Sequence, residues 1–324
     1  MDTTAIFNGF NAKKVLIVGD AMIDAYMWGN INRMSPEAPV PVVEVHTHEN
    51  RLGGAANVAL NLKALGATPI LCAVIGDDNK GALFQQLMEK QQLSTDGILI
   101  DKKRKTTTKT RVIAQQKHQL RVDEEDIFPI TVEDDFLKLI HALITDVDVI
   151  VLQDYNKGVL TPKVIEEVIK MANKSNIPTI VDPKKQNFTS YKNCTIFKPN
   201  LAEIKAGIEI SFSADNIEEL QQATTHLRTL LNAEGVLLTL SEQGICINTK
   251  NTFKHTPAFP RDIVDISGAG DTVLSVAALC LASNLDYETL SIVATLAGGL
   301  VCEEVGVVPI NKEQLIAEVK KYIH

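Results

Sequence analysis

Short apolar runs alternate with amphipathic stretches along most of the chain. Lys14 to Val18 is a β-branched run ending at Gly19-Asp20, which predicts a buried strand. From Ala55 to Leu65 the apolar positions fall at helical spacing and stop at Gly66, a C-cap signal. Pro69 to Ile75 then reads as a strand and Gly81 to Gln91 as a helix. The alternation returns with strands at Val147 to Leu152, Pro178 to Val181, Cys194 to Phe197 and Val236 to Leu240. Between and beside them lie helical patterns at Pro162 to Asn173, Leu201 to Ala206 and Ile217 to Leu231. Three more, Ala269 to Ala282, Tyr287 to Cys302 and Lys312 to Tyr322, close the chain. This order predicts an α/β fold with a mostly parallel sheet covered on both faces. Sites in such sheets lie beyond the carboxyl ends of the strands, where Gly19-Asp20, Gln153-Asp154, Asp182-Pro183 and Pro199-Asn200 fall.

Two segments break the alternation. Trp28 to Val45 carries Pro36, Pro39 and Pro41 before an alternating stretch, and Thr106 to Val122 has strand-like order without a helical stripe. Two inserted strand segments, around 28–48 and 104–123, predict a small separate sheet over one edge of the main body. Such a sheet could serve as a lid that excludes water, or as a dimer interface. With 324 residues and 45% hydrophobic content, the chain is expected to form one large domain, residues 1–324.

The net charge of −8 argues against a nucleic-acid footprint. The only basic run, Lys102-Lys103-Arg104-Lys105 with Lys109 and Arg111 behind it, reads as a solvated loop unless it borders a phosphorylated substrate. Five scattered cysteines form no CxxC pair and read as small core residues in a reducing compartment. None of the seven histidines has metal-ligand spacing; His46 and His48 are expected to face solvent. No secretory n-region and no membrane-length apolar run is present, so the expectation is a cytoplasmic protein without membrane contact.

The richest chemistry lies in Asp265-Ile266-Ser267-Gly268-Ala269-Gly270-Asp271, directly before a helical pattern. Gly268, Ala269 and Gly270 let the unpartnered N–H groups of a helix start approach an anion. Asp271 then lies in the first turn, where its carboxylate can reach a hydroxyl beside that anion. Backbone donors plus one carboxylate suit phosphoryl transfer to an alcohol, with Asp271 as the base. A lone GAGD is more often an ordinary helix start, so it needs company. Gly53-Gly54, followed by Asn57 ahead of a second helix, offers close backbone approach and an amide for a polyol, or merely tight helix–sheet packing.

The full succession is more specific than either motif. It runs Asp24, then Gly53-Gly54-Ala55-Ala56-Asn57, then Asn200-Leu201-Ala202-Glu203, then Thr239 to Gly244, then GAGD. Over nearly the whole chain it resembles the PfkB family of carbohydrate kinases, related to ribokinase and minor phosphofructokinase. Gly19 to Asp24, Met34 to Val42, Leu52 to Ala59, Thr106 to Lys109 and Val181 to Lys184 are similar to hallmark segments of the kinases of ADP-heptose synthesis. The resemblance implies a ribokinase-like three-layer sandwich with a small β lid. It implies an ATP- and Mg²⁺-dependent kinase acting on the anomeric hydroxyl of D-glycero-D-manno-heptose 7-phosphate, with the 1,7-bisphosphate as product. Runner-up expectations are a kinase for ribose, fructose or a fructose phosphate, or a catalytically silent sugar-binding protein. Many such kinases continue into a nucleotidyltransferase domain; this sequence ends at His324 and covers only the kinase half, so a separate nucleotidyltransferase is the expected pathway partner. By analogy with related kinases a homodimer is expected.

Residue by residue, the resemblance places Asn200 and Glu203 at the nucleotide phosphates, Glu203 reaching Mg²⁺ through water. Ser241, Glu242 and Gly244 would line the nucleotide site, and Lys184 would face its phosphates. Asp24, Gly53, Gly54 and Asn57 would hold sugar hydroxyls. Lys109, Arg111, Arg121, Lys157 and Lys184 are the candidates for the substrate phosphate. The chain departs from the family pattern at Ile266-Ser267, at Asn156 in place of a glycine after Asp154-Tyr155, and at Lys185 after Asp182-Pro183-Lys184. Asn is the non-glycine residue best suited to positive φ, so the turn at Asn156 should survive.

Overall fold

A computed structural model describes residues 3–323 except Gln116 and Glu209. Its strands are β1 (Lys14–Gly19), β2 (Ala21–Met34), β3 (Pro41–Gly54), β4 (Thr68–Gly76), β5 (Ile98–Asp101), β6 (Thr108–Ala114), β7 (Lys117–Glu124), β8 (Val149–Gln153), β9 (Thr179–Asp182), β10 (Ile196–Phe197), β11 (Gly235–Thr239), β12 (Ile245–Thr249) and β13 (Phe253–Thr256). Nine of them form one sheet in the order β13-β12-β11-β10-β9-β8-β1-β4-β5. Pairing is parallel from β5 to β11 and antiparallel only through β12 and β13.

Strand pleating sends alternate residues to opposite faces, and both faces are buried. Val15, Ile17, Val149 and Val151 join a core beneath the helices Ala55–Ala64, Ala269–Ala282 and Tyr287–Val301. Leu16, Val18, Ile150 and Leu152 join a second core beneath Glu133–Leu143, Pro162–Lys174 and Ile217–Leu231. The result is a three-layer α/β sandwich. The cysteines Cys72, Cys194, Cys246, Cys280 and Cys302 are all buried and unpaired, as expected of core thiols.

A separate four-stranded sheet has the order β3-β2-β6-β7. The first of its strands starts at Ala21 rather than Trp28, and its partner runs on to Gly54. Apart from the turn at 35–40, the sequence between Gly19-Asp20 and the paired glycines is therefore sheet, with Ala21, Met22, Ile23 and Leu52 extending the buried apolar pattern into it. Only the outer halves of β2 and β3 look like an insertion. Helices Thr3–Phe10 and Glu133–Leu143 and the strands β5, β12 and β13 also lie outside the sequence expectations. His46 and His48 are exposed. Among the described residues no helix is long and apolar enough to cross a membrane.

Candidate active site

The helix Ala269–Ala282 is almost wholly buried because small and aliphatic residues occupy every face. It packs against Ala55–Ala64, whose Ala55, Ala56, Val58 and Ala59 have no exposed surface. Asn61 pins the pair by accepting from Thr272 Oγ1 at 3.2 Å and from Ile310 N at 2.9 Å. At its start, Gly268 adopts φ 83°, and no side chain caps the helix. A Cβ on Gly270 would meet nothing within 4 Å, so the approach to this helix start is open. Ala269 N donates to Ile266 O at 3.3 Å, which leaves the dipole and the N–H groups of Gly270 and Asp271 at that opening.

Asp271, 6% exposed, occupies this first turn. Its Oδ2 accepts from Asn57 Nδ2 at 2.8 Å. Its Oδ1 accepts from Tyr155 OH at 2.7 Å and from Gln153 Nε2 at 3.2 Å. Burial pushes its pKa up to about 6; the bonds from Asn57 and Tyr155 oppose the shift, while nearby Asp182 adds to it. Asn57 Oδ1 and Gln153 Oε1, on the same side chains, are buried acceptors with no hydrogen-bond partner among the described residues.

Neither Gln153 nor Tyr155 was assigned a role from the sequence. Gln153 ends β8, and the segment after it is organised by buried Asp20 at the end of β1. Asp20 accepts from the backbone N–H groups of Tyr155 at 2.8 Å, Lys157 at 3.1 Å and Val159 at 3.1 Å. Between them Asn156 has φ 61° and Gly158 φ 84°, so the asparagine does adopt the left-handed turn. Buried Arg104 donates to Lys157 O. Asp154 accepts from Tyr191 OH at 2.7 Å, and burial with Asp20 close by raises its pKa to about 6.

The predicted sugar residues converge at the base of the small sheet. Asp24 is 4% exposed and paired with Arg111, whose guanidinium also lies 5.3 Å from the Tyr26 ring centre. A Cβ on Gly53 would overlap Asp24 Oδ2, and one on Gly54 would overlap the backbone of Asp20. Both glycines are thus required by the polar groups packed on them. Lys109 and Lys157 converge on Glu125, at 3.3 and 2.8 Å, and both are largely buried. Arg121 stands apart, with its side chain 59% exposed and paired to Asp123.

On the other flank, Asn200 and Glu203 form a capping box on the helix Leu201–Gly207. Glu203 Oε2 accepts from Asn200 N at 2.9 Å, while Oε1 pairs with Lys184. Lys184 Nζ lies 5.7 Å from the Tyr155 ring centre. Ser241 and Glu242 line a cavity of about 580 Å³ together with Leu201, Lys205 and Phe212. Gly244 is a turn residue at φ 90°, where a Cβ would strike Thr256 O. Lys198, absent from the sequence expectations, makes a buried ion pair with Asp182 at 3.1 Å. That pair continues through Gln153, which donates to Asp182 at 3.3 Å, to the Asp271 carboxylate. Among the described residues no cluster of His, Cys, Asp and Glu could hold a metal alone.

The pfkB family carbohydrate kinase model matches residues 12–314. A bifunctional protein HldE from Citrifermentans bemidjiense is 38% identical over 323 residues, 98% of this chain and 66% of that protein. Its counterpart in Helicobacter pylori is 38% identical over 296 residues, 91% of this chain and 64% of its own length. The chain therefore spans just under two thirds of these relatives. Phosphofructokinase-2 from Escherichia coli in complex with potassium superposes with a TM-score of 0.78 at 16% identity, over 95% of this chain and 99% of that one. Ribokinase from Arabidopsis thaliana, complexed with ribose and ATP, gives 0.73 at 18% identity, over 94% and 99%.

Proposed function

The chain belongs to the pfkB family of carbohydrate kinases, and on that footing we propose that it phosphorylates the anomeric hydroxyl of D-glycero-D-manno-heptose 7-phosphate from ATP. The observation that carries the chemistry is Asp271, buried at an uncapped helix start with its carboxylate held by Asn57, Gln153 and Tyr155. The heptose assignment rests on the segments Met34 to Val42, which joins β2 to β3, and Thr106 to Lys109, which leads into β6.

In this reading the sugar hydroxyl is oriented by Asp271, and its oxygen bonds to the γ-phosphorus as the bond to the bridging oxygen breaks. ADP leaves with the electron pair, and the hydroxyl proton passes to Asp271. The N–H groups at Gly268–Asp271 stabilise the charge on the transferring group. Asn57 Oδ1 and Gln153 Oε1 supply acceptors for sugar hydroxyls, and Asp24 holds another from the side of the small sheet. Lys109 and Lys157, already gathered on one carboxylate, are the cations best placed for the 7-phosphate. Lys184 serves the nucleotide phosphates. Both oxygens of Glu203 are engaged, which suits contact with a hydrated Mg²⁺ through water. When bound, that ion neutralises phosphate charge.

The test is coupled ADP release with ATP and Mg²⁺, offering heptose 7-phosphate, fructose 6-phosphate, ribose and fructose in parallel. Selective turnover of the heptose phosphate supports the proposal. Selective turnover of another sugar keeps the catalytic roles and overturns the acceptor.

A further inference from the structure

Asp271 already accepts the bond that an acceptor hydroxyl would donate. Tyr155 OH sits 2.7 Å from Oδ1, the geometry of an alcohol on its base. The other donors on this carboxylate stand on regular structure: Asn57 on the helix Ala55–Ala64, Gln153 at the end of β8. Tyr155 stands on a loop instead. Its backbone is fixed by Asp20 at 2.8 Å, while its side chain makes one hydrogen bond, to Asp271, beneath the Lys184 ammonium. Release of the phenol from the base therefore breaks one side-chain hydrogen bond and none of the backbone bonds that hold the loop. Unlike Asn57 and Gln153, Tyr155 is not fully buried.

We propose that the Tyr155 hydroxyl is a placeholder, occupying the acceptor's position on Asp271 until the sugar displaces it. What it withholds is water. A water on this base would be phosphorylated as the sugar is: its oxygen bonds to the γ-phosphorus, the bond to the bridging oxygen breaks, the proton goes to Asp271, and ADP and phosphate leave. With the phenol in place the position such a water would take on Oδ1 is filled, and ATP is spared until an acceptor arrives. The inference rests on Asp271 being the base, as proposed above.

Tyr155→Phe removes the hydroxyl and keeps the ring. Acceptor-free ATP hydrolysis should rise about tenfold or more, the scale of losing one hydrogen bond to a carboxylate. Sugar-dependent turnover should stay within a few-fold, so ADP is formed in excess of sugar phosphate. Tyr155→Leu should uncouple the reaction in the same way, and adding Asp271→Asn should abolish the extra hydrolysis. Calorimetric binding of heptose 7-phosphate without nucleotide provides a readout independent of turnover. Binding to Tyr155→Phe should be no weaker than to the parent, because no placeholder remains to be displaced. Unchanged hydrolysis in both Tyr155 variants, or a marked loss of sugar affinity, would overturn the placeholder role. Asp271→Asn alone tests the underlying reading: full sugar-dependent turnover in that variant would remove Asp271 as the base, whatever Tyr155 does.

Discussion

The Asp271 carboxylate is asked to be both buried and ionised, and these demands pull against each other. Burial raises its pKa from 3.8 to about 6, so between those values the folded protein keeps a proton that the unfolded chain has released. Stability contributed by the neutral form is full below about 4 and is lost as pH rises through 6. Asp154, raised to about 6 by burial beside Asp20, acts in the same direction. Activity has the opposite slope, since a protonated base cannot accept the hydroxyl proton, and kcat/KM should fall below about pH 6. Asp271→Asn separates the two. Transfer should drop by ~10²–10⁴-fold. At pH 8 the variant should unfold at higher urea than the parent, by at most roughly 3 kcal/mol, with the gap closing towards pH 4. The exchange is tolerable because Asn57 can turn its unpartnered Oδ1 towards the new amide. A flat pH–rate profile, or a stability gap unchanged from pH 8 to pH 4, would contradict this account. The place of Asp271 in the first turn of a helix was legible in the sequence, and it stood out there because the paired glycines with Asn57 and the Asn200–Glu203 segment accompany it. Tyr155 was not, because its bond to Asp271 spans 116 residues and depends on the turn at Asn156 and Gly158.

The helix start and the strand ends separate function from folding in a way that single residues do not. Gly270 lies inside the helix with ordinary negative φ and open space where a Cβ would stand. Gly270→Ala should therefore keep or raise stability, by up to about 1 kcal/mol from helix propensity. If a phosphoryl group must approach that backbone, the added methyl should lower turnover at least about tenfold. A variant that is as active as the parent would show that the N–H groups of this turn are not used. Gly53 behaves differently, because its Cβ would overlap Asp24 and change the site and the packing together. At this scale the sequence was informative where an unbroken aliphatic run buried on both faces ends at a turn signal, as at Val15 to Val18 before Gly19-Asp20. It misplaced the start of β2 because nothing between Asp20 and Trp28 distinguishes a strand that leaves one sheet from one that enters another. The hairpin of β12 and β13 was missed for a related reason: its short strands gain their identity from antiparallel pairing with β11.

The molecule as a whole is a closed sandwich carrying a sheet with two unlike faces. On β7, Arg121 and Asp123 alternate with Leu120 and Val122, so charged and apolar residues point to opposite sides. The charged side is the one that carries Lys109 and its partners Asp123 and Glu125. The other side leaves Leu120 60% and Val122 45% exposed. Apolar side chains repeated on one open sheet face are what a second copy of the same sheet would cover. We expect the protein to be a homodimer through this face, with the small sheets of two copies packed together. Leu120→Glu combined with Val122→Glu places like charges at the centre of such an interface and leaves the sandwich core untouched. Sedimentation velocity should show a dimer for the parent and a monomer for the variant, with unfolding of the main body little changed. Turnover should fall as well, chiefly through a higher KM for the sugar phosphate, because Asp24, Lys109 and Arg111 stand on the sheet that a second copy would steady in such a dimer. A parent that is monomeric at assay concentration, or a variant that stays dimeric, would place the contact elsewhere. A monomeric variant with unchanged KM would show that the small sheet holds its shape through β2 and β3 alone.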